Sequence, residues 1–186
     1  MRLRLIAFAG TALLAGAAPA HDASAQGFPF SQRSSVAQTV AFTNISISYG
    51  RPVARGRVLF GQLVPWDSVW HPGADSATVI IVDRDLLVEG RPLSAGEYSL
   101  WLVPRRSGPW TLIFSRAARV FHRPYPGPES DALRLDVMPD SASHMETMAF
   151  YFPVVLRDEA VMRLHWGNTF VAARFKAPFR PDTPAP

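Results

Sequence analysis

The chain of 186 residues contains no cysteine. That absence excludes disulfide scaffolds, thiolate zinc sites, iron–sulfur clusters and cysteine nucleophiles, and it leaves the redox compartment open. Lysine is almost missing too: Lys176 is the only one among 19 basic residues, which face 15 acidic residues for a net charge of +4. No block of like charges marks a nucleic-acid patch, so nucleic acid is not an expected partner. Basic character carried by Arg favours planar, forked contacts to a carboxylate or phosphate over diffuse charge. Amphipathic runs of helical period longer than about two turns are lacking, and so is any repeat of fixed length. Also absent are paired histidines at metal-ligand spacing, a GxSxG elbow, a GxxxxGK[ST] loop and a GxGxxG turn, which removes the main signals of zinc hydrolases, serine hydrolases and nucleotide folds. No metal and no cofactor is expected on these grounds.

One long apolar run is present, and it lies at the start. Met1 to Arg4 is short and basic, Leu5 to Ala18 is apolar, and Ala23-Ser24-Ala25 has the small-x-small form of a cleavage site. Residues 1–25 read as a secretory signal cut after Ala25 or after Ala20. The run is shorter than the roughly 20 residues that span a bilayer, so no membrane span is expected after cleavage, and the mature protein is placed in the periplasm or outside the cell. The other terminus, from Pro178 to Pro186, is too rich in proline for helix or central strand and reads as a flexible tail. Residues 26–177 remain as one domain, long enough to build a core without staples.

Within that domain a period of two dominates. Leu133-Arg134-Leu135-Asp136-Val137 alternates apolar and charged residues, Met148, Phe150, Phe152 and Val154 alternate likewise, and Ala77 to Val82 is a continuous β-branched run suited to a strand buried on both sides. Val40-Phe42 and Ile45-Ile47-Tyr49 are two runs whose register changes at Thr43-Asn44, so a tight turn or bulge is expected there. Leu86 to Val103 reads as strand, turn, strand, followed by a strand at Trp110 to Phe114. Met162, Leu164 and Trp166, then Gly167-Asn168, then Thr169, Val171, Ala173 and Phe175 read as a closing hairpin. Only Val58 to Leu63 and Arg116 to Val120 look briefly helical. About nine or ten strands between Gly/Pro turns predict an all-β fold, an antiparallel β-sandwich of jelly-roll-like or barrel-like form. It carries two long loops, Gly50 to Ala77 and Ala117 to Asp131, where binding sites usually sit.

The first of these loops holds the densest polar and aromatic grouping: Tyr49, Arg51, Arg57, Trp66, Trp70, His71 and Asp75. Trp66 and Trp70 offer stacking faces to a sugar or aromatic ligand, Arg51 and Arg57 suit a carboxylate or phosphate, and His71 with Asp75 suits proton transfer. The competing structural interpretation has both tryptophans capping the core and Arg51 or Arg57 pinning the loop through Asp75. Arg163 and His165 share one strand face, opposite Trp166, which reads as an ordinary solvated face.

An ordered series of motifs carries a resemblance. It comprises Arg33-Ser34-Ser35-x-x-Gln38, Tyr49-x-Arg51-Pro52, Gly56-Arg57, Phe60-Gly61-x-Leu63-Val64-Pro65, Trp70-x-x-Gly73-Ala74-x-x-Ala77-Thr78, Ala95-Gly96-x-Tyr98-Ser99-Leu100, Trp110-Thr111 and Trp166-x-x-Thr169. From about Ser31 to Lys176 the chain resembles the bacterial exported family called domain of unknown function twenty-nine eleven. The resemblance implies an exported β-sandwich and no particular reaction. It departs at two positions, where His71 and Asp75 stand in place of the Arg and Asn the family pattern leads one to expect. A His in the place of an anion-binding Arg would hold charge only below a pKa near 6.5.

These observations favour a non-catalytic binding module for a carbohydrate or small anionic ligand, held by the Tyr49 to Asp75 loop. Two alternatives stay open. One is a hydrolase or other acid–base enzyme with His71 or Asp75 as base and Arg51 or Arg57 stabilising negative charge. The other is a structural envelope protein whose sheet face or edge meets a protein partner.

Overall fold

A computed structural model describes residues 31–178; the signal segment and the tail beyond Pro178 lie outside the described residues. Ten strands form two antiparallel sheets. The first hairpin joins β1 (Arg33–Val40) to β2 (Thr43–Gly50), with Val40 opposite Thr43. The turn is therefore Ala41-Phe42, with Ala41 at φ 51, two residues before the Thr43-Asn44 position expected from the register change. The remaining strands are β3 (Val79–Val82), β4 (Leu86–Val88), β5 (Arg91–Leu93), β6 (Gly96–Val103), β7 (Trp110–Ser115), β8 (Asp131–Val137), β9 (Pro139–Val155) and β10 (Glu159–Lys176). One sheet runs β1-β2-β3-β6-β7-β8 and the other β5-β4-β10-β9. The chain passes between sheets at exposed Met138, between β8 and β9. The sheets face each other as a sandwich and do not close into a barrel.

Alternation explains the core. Ile45, Ile47, Leu100, Leu102, Phe114 and Leu135 project from the six-stranded sheet toward Met148, Phe150, Met162, Leu164, Ala173 and Phe175 of the other, and all are buried. The rings of Phe114 and Phe175 meet across the gap at 6.3 Å. β3 is shorter than Ala77 to Val82 and alternates: Ile80 and Val82 are buried while Val79 and Ile81 are half-buried, so one side of this strand is only partly covered.

Gly167-Asn168 does not turn the chain. β10 runs straight through it, and both of its halves pair with β9: Ala160 through His165 with Val155 through Ala149, and Thr169 through Val171 with Ser141 through Pro139. The register shifts on both sides of Gly167, which sits at φ 60. This is a bulge, and it solves a parity problem. Met162, Leu164 and Trp166 point inward at even positions and Val171, Ala173 and Phe175 at odd ones, so an extra residue keeps both sets in the core. The same shift brings Arg163, His165 and Phe170 together on the outer face, with the Arg163 guanidinium 4.2 Å above the Phe170 ring. That face is not solvated at His165, which is 4% exposed and within 3.3 Å of the Tyr151 hydroxyl through Nδ1.

Neither expected helical segment forms. Val58 to Leu63 is a turn closed by hydrogen bonds from the Leu63 amide to the Val58 carbonyl and from the Val64 amide to the Leu59 carbonyl, and 116–120 is irregular chain with bends. Both segments are too short to pay the nucleation cost of a helix without a packed apolar stripe. Among the described residues the helical structure is one 3-10 turn, Pro128–Ser130, and no helix is long and apolar enough to cross a membrane.

Candidate functional site

The two long loops are the chain between β2 and β3 and between β7 and β8. They converge on the outer face of the six-stranded sheet, because that face carries something to cover. In β6, Tyr98, Leu100 and Leu102 fill the core, so Ser99 and Trp101 point the other way, and Trp101 is nonetheless 1% exposed. Its indole N–H donates to Ser99 Oγ at 2.8 Å, and Ser99 Oγ donates to the Ala117 carbonyl of the second loop. Its ring meets His71 at 5.8 Å and Tyr125 at 5.3 Å, each edge to face.

The first loop leaves the sheet beside β6. Trp70 exchanges both backbone hydrogen bonds with Leu102, and the Thr78 carbonyl accepts from the Leu100 amide, so residues 71–77 form an excursion whose two ends lie side by side. His71 clasps that neck. Its Nε2 accepts the Thr78 backbone N–H, and Thr78 Oγ1 donates to the Pro72 carbonyl at 2.7 Å. An accepting Nε2 places the ring proton on Nδ1. Burial, with smaller contributions from His122 and Arg33, lowers the His71 pKa to about 3. His71 is thus neutral near pH 7, and the charge that the Arg-to-His departure leads one to expect below pH 6.5 is deferred to about pH 3 in the folded protein. Gly50 lies behind the excursion: a Cβ there would overlap the Ala74 carbonyl oxygen, so only glycine lets the loop pack against the end of β2.

The second loop supplies the opposite wall. The His122 backbone N–H and Nδ1–H both donate to the Asp75 carbonyl, the latter at 2.7 Å, which ties the loops together and leaves Nε2 of His122 as an acceptor. The rings of His71 and His122 are stacked at 6.4 Å. Tyr125 donates to Asp131 Oδ1, and burial followed by that hydrogen bond raises its pKa.

Between the loops lies a cavity of about 770 Å³, in the range of small-molecule sites. Of the residues singled out in the sequence, Arg57, Trp70, His71 and Asp75 line it. Tyr49, Arg51 and Trp66 do not. Tyr49 is buried in the core, where its hydroxyl accepts the Phe150 amide and its ring packs on Phe150 at 4.8 Å. Arg51 spans the sandwich edge, its Nε–H donating to the Met148 carbonyl at 2.9 Å. Trp66 stacks on Phe60 and edges onto Trp110, closing one end of the core. Neither arginine pairs with Asp75: Arg57 donates to the Ala54 and Val53 carbonyls of its own loop. Replacing Arg51 by Met, which keeps the stem, is expected to destabilise by about 1–2 kcal/mol by leaving a half-buried carbonyl unmet. Urea unfolding measures this, and an unchanged midpoint would show that water replaces the guanidinium.

The cavity also takes residues that the sequence reading missed: Arg55, Trp101, His122, Arg123, Tyr125 and Trp166. Trp166 stacks on Trp70 at 6.0 Å and 12°, so two tryptophans 96 positions apart make one aromatic wall. A signal existed for Trp101 alone, as a tryptophan that alternation places on the non-core face of its strand. The lining carries three guanidinium groups, Arg55, Arg57 and Arg123, against one carboxylate, Asp75. Among the described residues no group of three or more His, Asp or Glu side chains is placed to hold a metal.

A family model described as protein of unknown function (DUF2911) matches residues 31–175. No curated protein matches the chain, and no solved structure matches it.

Proposed function

The chain belongs to the DUF2911 family, whose description names no activity, and from the geometry of the cavity we propose that it is a non-catalytic binding module for a small ligand with an acidic group. Organic acids and acidic sugars are both candidates. The observation that carries this is the excess of guanidinium over carboxylate in a concave, aromatic-walled space between the loops. His71 supports binding over catalysis. Its basic nitrogen is committed to the Thr78 amide and its pKa is far below neutrality, so it holds a wall in place.

The test is thermal and chemical unfolding of the protein with benzoate, citrate, glucuronate and inorganic phosphate. A probe at about a hundred times its dissociation constant adds about 2.7 kcal/mol of stability. The gain is expected to be lost in Arg57→Gln and Arg123→Gln. No stabilisation by any probe, or equal stabilisation of wild type and both variants, would overturn the proposal.

One observation favours a second reading, an acid–base enzyme. His122 has its tautomer set by the Asp75 carbonyl, which leaves Nε2 as a base on the cavity wall. Turnover abolished by His122→Gln but not by His71→Gln would establish it. We further propose export, on the N-terminal pattern. The protein recovered from outside the cytoplasm is then expected to begin at Gln26 or His21, and a start at Met1 would refute this.

A further inference from the structure

Resting on the cavity being a site for an acidic ligand, we propose that the ligand is a flat, largely apolar carboxylic acid, an arene or heteroarene acid rather than an acidic sugar. Three features of the wall point this way. First, aromatic rings line it: Trp70 and Tyr125 are partly exposed, Trp166 and Trp101 lie almost fully buried behind them, and Pro65 and Pro124 join the lining. Second, the polar handles of two of these rings are turned inward: Trp101 Nε1 serves Ser99 and the Tyr125 hydroxyl serves Asp131. The Trp166 Nε1–H, buried and without a partner among the described residues, is the one ring donor left over, so a ligand meets ring surface and few aligned hydrogen-bond partners. Third, the side chains that accept from sugar hydroxyls are few: no Asn, Gln or Glu lines the space, its one carboxylate is Asp75, and beside it stand only Ser31, Ser68 and His122. An acidic sugar would bury several hydroxyls without partners, and each of these costs affinity. A planar apolar body carries no such cost and gains from stacking.

The apolar character continues outward. Leu63 and Val69 line the cavity and are 42% and 37% exposed, an apolar lip that suits entry of a hydrophobic body. The acidic group is assigned to the lining arginines, Arg123 above all. Two of the Arg57 nitrogens are anchored on backbone carbonyls, which fixes the plane of its fork, and Arg123 makes no hydrogen bond or ion pair with any described residue.

The experiment is calorimetric titration of the full chain with four probes: 2-naphthoate, the neutral 2-naphthylmethanol, galacturonate and inorganic phosphate. 2-Naphthoate is expected to bind at least tenfold more tightly than each of the others. Arg123→Gln is expected to weaken 2-naphthoate about tenfold and to leave 2-naphthylmethanol unchanged, its own unliganded melting temperature being that of the wild type. Galacturonate or phosphate binding as tightly as 2-naphthoate would overturn the aromatic assignment while leaving an acidic-ligand site standing. Equal binding of 2-naphthoate and 2-naphthylmethanol would overturn the acidic end. If none of the four binds, the acidic-ligand reading falls with this one.

Discussion

Acidification from about pH 7 to about pH 4 is expected to cost the wild-type protein about 1 kcal/mol of stability per pH unit more than it costs a His71→Gln variant. The sign follows from the two protonation states. In the unfolded chain His71 titrates near 6.5, whereas in the folded protein burial and the accepted Thr78 amide hold its pKa at about 3. Below pH 6.5 the unfolded chain binds a proton that the native state refuses. The stability contributed by the clasp is therefore complete above pH 6.5 and lost progressively as pH falls toward 3. Each unit of pKa difference corresponds to about 1.4 kcal/mol, so several kcal/mol are at stake across the window. Gln is chosen because its amide oxygen reaches about the place of Nε2 and accepts the Thr78 N–H without titrating. Other titratable groups, including His144 and Glu146, which hydrogen-bond each other, are common to both proteins and cancel in the difference. Urea unfolding at four pH values measures it. Parallel curves for wild type and variant would mean that the native loop opens to let His71 protonate, and the clasp would not be the rigid element described above.

The same residue shows how much of the site was open to sequence reading. Trp70, His71 and Asp75 could be picked out because they crowd one proline- and glycine-rich loop, and the ends of both long loops coincide with the ends of β2, β3, β7 and β8 to within two residues. What His71 does there was not legible. Its partner is the backbone of Thr78, and a backbone amide leaves no mark in composition. Arg123, His122 and Tyr125 were passed over for a different reason: they reach the cavity from a second loop, and nothing local distinguishes them from ordinary loop residues. Gly167-Asn168 was misread because a tight hairpin and a bulge ask for the same chemistry, a residue tolerant of φ near +60. The parity of the flanking apolar residues separates the two. Trp166 and Val171 are five apart, and in an unbroken strand an odd spacing would put them on opposite faces, yet both are buried in the core. A bulge absorbs that mismatch within one continuous strand, whereas a hairpin would pair its two halves with each other. His165 could have been found by the same count, since the bulge lays Phe170 beside it.

Trp101→Ala is expected to destabilise the protein by about 3–5 kcal/mol, a cost usual for a core position although this residue lies outside the sandwich core. The outer face of a sandwich sheet normally meets water, and a tryptophan there would be a surface residue. Here both long loops are folded down onto it. Trp101 is opposite Ile113 in the β6–β7 ladder, and the two, both fully buried, make a second small apolar layer beneath the loops. Removing the indole takes away the surface on which His71 and Tyr125 rest, and it breaks the chain of hydrogen bonds from Trp101 through Ser99 to Ala117. The neighbouring cavity lets water or side chains move into part of the space, which places the loss toward the lower end of the range. Trp101→Phe keeps a ring on the platform and gives up the hydrogen bond to Ser99 Oγ, a loss of about 1 kcal/mol. For a domain of this length the alanine variant's melting temperature is expected to fall by about 10 °C. Its second loop should also become the first site of proteolysis, since its cover is lost while the sandwich beneath is intact. An alanine variant within 1 kcal/mol of wild type, with the loop still protected, would show that the loops are held by their mutual hydrogen bonds at Asp75 and His122 and need no aromatic floor. In that event the cavity would be shaped by backbone alone, and the stacking that favours a flat ligand would rest on Trp70, backed by Trp166.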